Sequence, residues 1–136
     1  MTDDDYFEEL CRSVFQGGMN EQAVDSRWPG FRRAFSNFSV RAVADYLPDE
    51  LDRLMSDPEI VRNLRKIEAT IENAAEMLLI EIEFGSFANY VESFSSNDDL
   101  SVDVSRRFQQ LGPAEASSFV ERIAGAADEL TGLATT

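Results

Sequence analysis

Four polar residues open the longest helical run of the chain, and their types suit one kind of chemistry. Arg62, Asn63, Arg65 and Lys66 stand early in an amphipathic stretch from Ser56 to Ala74. Cations beside the free N–H groups of a helix start hold a phosphate group well. The same residues equally suit the solvated basic edge of an ordinary helical hairpin, offsetting nearby acids. Proton chemistry is more restricted. The chain has no histidine and a single cysteine, Cys11. Any catalytic proton must therefore ride on a carboxylate, a tyrosine, a lysine or water. A disulfide framework and an ordinary zinc site of Cys and His are excluded, and no cofactor or metal is expected.

The elements that position these residues follow from spacing. Asp57-Pro58 is a turn signal, with Ser56 or Asp57 as N-cap and Pro58 in a first turn, where its missing N–H costs nothing. Ile60, Leu64, Ile67, Ile71 and Ala74 or Ala75 then recur every three or four residues, which puts them on one buried face. A short helix from Asp49 to Ser56, a tight turn and this longer helix make a helix-hairpin-helix.

The rest of the chain reads as further helices. Asp3-Asp4-Asp5 precedes an apolar stripe of Phe7, Leu10, Cys11, Val14 and Phe15, with acids at the positive end of its helix. Gly17-Gly18 ends it. Asn20 caps a second helix running to about Trp28, which Pro29-Gly30 breaks. Phe31, Phe35 and Phe38 continue the burial. Ser39 caps a short helix, and Pro48 starts the next. The long helix is expected from about Pro58 to Phe84, with Gly85 just past its end. Ser86 caps an aromatic helix from Phe87 to Phe94. A polar loop over Ser95 to Asp98 leads to a helix from Asp99 to Gln110. Gly112-Pro113 turns into a last helix from Ala114 to about Leu130, and a tail from Thr131 to Thr136 frays. No stretch reads as a strand, a repeat or a linker. The expectation is one compact all-α domain with its core over about residues 5–130.

Composition supports that class. A chain of 136 residues, 43% hydrophobic, can bury a core without staples. No apolar run is long enough to span a membrane and no signal peptide opens the chain, so a cytoplasmic protein without membrane contact is expected. The net charge is −14, from 26 acidic and 12 basic residues. This opposes strong non-specific nucleic-acid binding. The acids are spread throughout and Lys66 is the only lysine. Such a surface is also what a salt-adapted cytoplasm produces, so the charge can report habitat rather than partner.

The order of small motifs is similar to that of one repair family. FEELC at Phe7 to Cys11, then Gln16-Gly17-Gly18, resemble its FE-hydrophobic-hydrophobic-C and Gln-Ala-Gly segments. FRRAFSNF at Phe31 to Phe38, with Val43-Ala44, resembles its aromatic–Arg block. Asp57, Ile60, Arg62-Asn63, Lys66-Ile67, Ala69, Ile71 and Asn73-Ala74 match its hairpin and following helix. Phe84-Gly85-Ser86-Phe87, Tyr90 and Ser93-Phe94 match another block, and Leu100-Ser101, Arg106-Arg107-Phe108 and Gly112-Pro113 match its last third. The chain resembles the DNA-3-methyladenine glycosylase I family over nearly all of residues 5–130.

The resemblance implies a helix-hairpin-helix glycosylase fold and a base-excision repair activity. Such an enzyme flips a damaged base from duplex DNA into an aromatic pocket, and water cleaves the glycosidic bond. The position of the family's base-reading carboxylate is Ser13, its pocket tryptophan is Glu21, and the tryptophan of its Trp-Ser-Phe motif is Glu92. Its N-terminal zinc-binding Cys and His have no counterpart here, and its C-terminal His falls at about Leu130. Glu21 could supply a carboxylate from the neighbouring helix, or be a surface acid. Ser13 can hydrogen-bond a base but is not an ionised carboxylate. Arg62, Asn63, Arg65 and Lys66 become candidate phosphate contacts to double-stranded DNA. Trp28 and Tyr46 read as core or rim, Cys11 as a buried inert thiol, and Phe84, Phe87, Tyr90 and Phe94 as packing. Two readings stay open. One is a glycosylase that excises an alkylated base. The other is a catalytically inactive relative that binds DNA or a protein partner through the same fold.

Overall fold

Three helix N-termini meet at the start of the chain. Thr2 and Asp5 form a capping box on the first helix, α1 (Asp3–Gln16): Asp5 N–H donates to Thr2 Oγ1 at 3.1 Å and Thr2 N–H to Asp5 Oδ2 at 2.8 Å. The acids beside them serve other helices. Asp4 Oδ1 accepts from Val40 N–H at the start of α4 (Val40–Ala44), and Asp3 Oδ1 accepts from Phe87 N–H at the start of α7 (Phe87–Glu92), both at 3.0 Å. Each acid satisfies a donor that a helix start leaves free, and adds charge at the positive end of its dipole.

The computed structural model describes residues 1–131, with side chains through 126. Among these residues every regular element is helical. The remaining helices are α2 (Glu21–Ser26), α3 (Trp28–Ala34), α5 (Pro48–Met55), α6 (Leu64–Phe84), α8 (Asn97–Arg107) and α9 (Pro113–Thr131), with a 3-10 turn over Ser36–Phe38. The expected tail and the position near Leu130 lie outside the described residues or side chains. Helix α6 runs through the middle of the molecule and packs against α1, α4, α5 and α7, while α9 packs on α1 and α8. The core between them is aromatic: Phe7, Phe15, Phe31, Phe35, Phe38, Phe87, Tyr90 and Phe119 are fully buried. Trp28 stacks on Phe31 and Phe38, its indole N–H donating to Glu8 Oε2 at 2.8 Å. Tyr46 sits at the rim, its hydroxyl 2.7 Å from Ser36 Oγ.

Several local readings hold: Asn20, Ser39 and Ser86 are side-chain caps, and Gly85 ends α6 with φ of 90°. Helices α7 and α8 end earlier than expected, at Glu92 and Arg107, and three other boundaries differ for visible reasons. Pro29-Gly30 does not break a helix; Pro29 stands in the first turn of α3, where no backbone donor is missed. Helix α8 starts at Asn97 because Ser96 caps it, Oγ accepting from Asp99 N–H at 3.1 Å. The largest difference is at the hairpin. Helix α6 starts at Leu64, not Pro58. Asp57 Oδ1 accepts from Glu59 N–H at 2.8 Å, a local turn that competes with helix. Asn63 is the cap, its Oδ1 accepting from Lys66 N–H at 3.2 Å. Ile60 is buried, but from the connection between α5 and α6, while Leu64 and Ala75 are exposed. The helix-hairpin-helix is therefore α5, a connection over residues 56–63, and α6.

That connection is docked on the body. Gly30 in α3 lies against it so closely that a Cβ would stand 2.8 Å from Glu59 Cβ and 3.1 Å from Glu59 O. A second junction fixes the approach to α9. Asn73, fully buried on α6, donates through Nδ2 to Gln109 O at 3.1 Å and accepts from Gln109 N–H at 2.7 Å. This clamp holds the turn that carries Gly112 and Pro113.

Candidate functional site

A cleft of about 270 Å³ opens where the end of α1, the start of α2 and the first three turns of α9 meet. From α1 and its turn come Ser13, Gln16, Gly17 and Gly18, from α2 Glu21, and from α9 Glu115, Ser118 and Arg122. Two of the three positions of altered chemistry, Ser13 and Glu21, are thus brought to one place. Ser13 is 2% exposed, and its Oγ is buried with no hydrogen-bond partner among the described residues. Glu21 is exposed. Glu92, by contrast, is exposed at the end of α7 and does not line the cleft.

The side wall is polar and braced. Arg122 Nη2 donates to Gln16 Oε1 at 3.0 Å and to Ser118 Oγ at 3.3 Å, and its Nη1 lies 3.6 Å from Glu9 Oε2. Arg12 lies over the Trp28 ring at 4.5 Å and pairs with Asp25 at 2.7 Å. Both guanidinium groups are engaged with acids, so among the described residues the unpaired charge at the cleft is negative, from Glu21 and Glu115.

Lys66 joins the cleft to the hairpin. Its Nζ donates to Gly17 O at 2.6 Å and to Phe15 O at 3.3 Å. A cation here caps carbonyls at the C-terminal end of α1. Burial lowers the Lys66 pKa from its ordinary value, and the charge of Glu115 opposes that shift. The expectation that Lys66 lies on the exposed basic edge with its neighbours is therefore corrected: its ammonium turns inward because the end of α1 offers it two acceptors. Arg62 and Arg65 are exposed and, among the described residues, take part in no ion pair. Asn63 is exposed, with its oxygen used as the cap.

Cys11 is fully buried on α1, and burial pushes its thiol pKa well above the ordinary value, so it is protonated and inert. Phe84, Tyr90, Phe87 and Phe94 pack on one another in edge and tilted contacts away from the cleft. Zinc does not fit the residues present. There is no histidine, Cys11 is enclosed in the core, and no group of three metal-ligating side chains converges among the described residues.

Sequence reasoning missed Glu115, Ser118 and Arg122. Nothing local marks them, because the wall they form faces α1 across most of the length of the chain. Gly17 carried a partial signal. It stands where the resemblance expects alanine, and a Cβ there would come within 3.1 Å of Glu115 Cγ.

The comparisons agree with this architecture. The chain is 26% identical over 98 residues to a DNA-3-methyladenine glycosylase of Haemophilus influenzae, covering 72% of this chain and 53% of that protein. It is 32% identical over 88 residues to DNA-3-methyladenine glycosylase 1 of Escherichia coli, covering 65% and 47%. The chain spans about half the length of these curated relatives. Among solved structures, 3-methyladenine DNA glycosylase I from Staphylococcus aureus superposes with a TM-score of 0.80 at 26% identity, covering 88% of this chain and 75% of that one. A point variant of 3-methyladenine DNA glycosylase I in complex with 3-methyladenine gives 0.79, also at 26% identity, with coverage of 88% and 75%. The methyladenine glycosylase family model matches residues 1–124. With the fold, the order of motifs and this match in agreement, the chain belongs to the methyladenine glycosylase family.

Proposed function

We propose that the chain is a DNA N-glycosylase of base-excision repair, acting in the cytoplasm as one domain, which flips an alkylated base out of the duplex and hydrolyses its glycosidic bond. The observation that carries this reading is the negatively charged cleft beside the hairpin, coupled to it through Lys66 and Gly17 O at 2.6 Å. The hairpin holds the DNA: Arg62 and Arg65, exposed and in no ion pair among the described residues, stand at the N-terminal end of α6, where the helix dipole favours a phosphate. Lys66 holds Gly17, which lines the cleft.

The chemistry asked of the cleft is small. A 3-methyladenine nucleotide carries positive charge, so the base departs as a neutral molecule with the bonding pair of the glycosidic bond. Water adds its oxygen to the sugar carbon and releases a proton to a carboxylate or to solvent. Carboxylates at the mouth stabilise positive charge first on the base and then on the sugar. Glu21, exposed on the cleft lining, is the acid given this role, and the Ser13 hydroxyl is chemically able to donate or accept one hydrogen bond to the base.

Two measurements test the reading. Arg62→Glu is expected to weaken duplex binding alike on all sequences and to reduce the salt slope of log K by about 1; an unchanged affinity removes the hairpin from the interface. Glu21→Gln is expected to slow base release without lowering thermal stability. Duplex binding with no release by the wild-type chain would instead describe an inactive relative that binds DNA, or a protein partner, through this fold.

A further inference from the structure

The cleft holds two carboxylates, fixed to different degrees. Glu21 is exposed on a six-residue helix at the rim. Glu115 is partly buried in the first turn of α9, a helix of 19 residues anchored by the Asn73 clamp before it. Its side chain lies over Gly17, where a Cβ would stand 3.1 Å from Cγ and 3.2 Å from Oε1. A Cβ at Gly112 would stand 3.5 Å from Oε2, so two backbone positions without side chains border the carboxylate. Among the described residues no donor is hydrogen-bonded to Glu115 and no cation stands within ion-pair distance of it; Lys66 is the cation that feels its charge.

A second observation points to a ligand there. Ser13 is among the residues that line the same cleft; it is 2% exposed, and its buried Oγ has no hydrogen-bond partner among the described residues. A buried hydroxyl without a partner costs free energy that a ligand's polar group can recover. The carboxylate and the hydroxyl differ in what they accept. Glu115 takes only donors, whereas Ser13 serves a donor or an acceptor.

We infer that Glu115, on the cleft that Ser13 also lines, is the residue that reads the N–H edge of the flipped base. This rests on the cleft being the base pocket. Gly17 is then a specificity-determining position, because alanine there would push the Glu115 side chain aside. The charge on the base is greatest before the glycosidic bond breaks. Glu115 therefore acts on binding more than on the bond-breaking step, so its loss raises KM more than it lowers kcat.

The test is titration of free 3-methyladenine into the full chain by NMR, alongside base release from alkylated duplex DNA. The variants are Glu115→Gln, Gly17→Ala and, as a control on the exposed side of α6, Glu72→Gln, each checked for helical content. Glu115→Gln is expected to weaken binding about 10- to 100-fold, the range for a hydrogen bond to a charged group. Gly17→Ala should shift it in the same direction, and Glu72→Gln should match the wild type. This pattern supports the inference even if no base is released from DNA, a result that would count against the proposed activity alone. Wild-type binding with Glu115→Gln unchanged overturns the inference and leaves the activity standing if release persists. No binding by the wild type overturns it as well, and release from DNA then decides the activity separately.

Discussion

Lys66→Met removes the ammonium while keeping an unbranched apolar stem of similar length. In the structure that ammonium bonds Gly17 O at 2.6 Å and Phe15 O at 3.3 Å. The short bond is charge-assisted and contributes about 1.5–3 kcal/mol; the long one adds a fraction of that. A cation at the end of α1 adds about 0.3–1 kcal/mol. Methionine returns part of this, since an ammonium no longer has to be desolvated. The net loss is about 2–3 kcal/mol. A chain of 136 residues has an unfolding entropy of about 0.3 kcal/mol per degree, at about 2.1 cal/mol/K per residue, so Tm should fall by about 7–10 °C. The assay is thermal unfolding followed by circular dichroism, with duplex affinity measured below the transition. Affinity should fall far less than in Arg62→Glu, because Lys66 faces α1 rather than solvent. A Tm loss under about 3 °C, together with an affinity loss equal to that of Arg62→Glu, would refute this assignment and return Lys66 to the phosphate-binding edge.

Two further outcomes follow from close packing. Gly30→Ala places a Cβ 2.8 Å from Glu59 Cβ and 3.1 Å from Glu59 O, so the hairpin connection must move. Overpacking of this kind costs about 1–3 kcal/mol, partly offset by alanine's better helix propensity, and the denaturation midpoint should drop. Cys11 should resist a thiol reagent at pH 8 in the native state, with a labelling rate that tracks unfolding. The sign of its pH dependence is set by the raised folded pKa: the native thiol keeps a proton that the unfolded chain loses. Stability from this group is therefore complete below the ordinary value of 9.0 and declines as pH rises above it, which a urea titration at pH 8 and pH 10 would read.

What was legible in the sequence is what depends on neighbours within a turn or two. Asn20, Ser39 and Ser86 cap the helices they precede, and Gly85 ends α6, because each bond involved spans only a few residues. Ile60 shows where that logic fails. It keeps helical spacing with Leu64 and Ile67, yet it is buried from a connection, since burial follows the partner surface and not the local period. The acids Asp3 and Asp4 read as serving their own helix, whereas tertiary contact assigns them to α7 and α4. Ser13 and Glu21 emerged as a pair only through the resemblance. Glu115 itself carried no local signal, because the space it occupies is defined by a missing Cβ at Gly17 on a distant segment.

The claim of base excision is tested most directly by incubating the purified chain with alkylated duplex DNA in low and in molar salt. Free base released and abasic sites formed are counted in the same reaction, with untreated duplex as the control. 3-Methyladenine and abasic sites are expected in equal number from alkylated DNA alone. No release in either salt from a fully helical protein, or strand loss without free base, would contradict it.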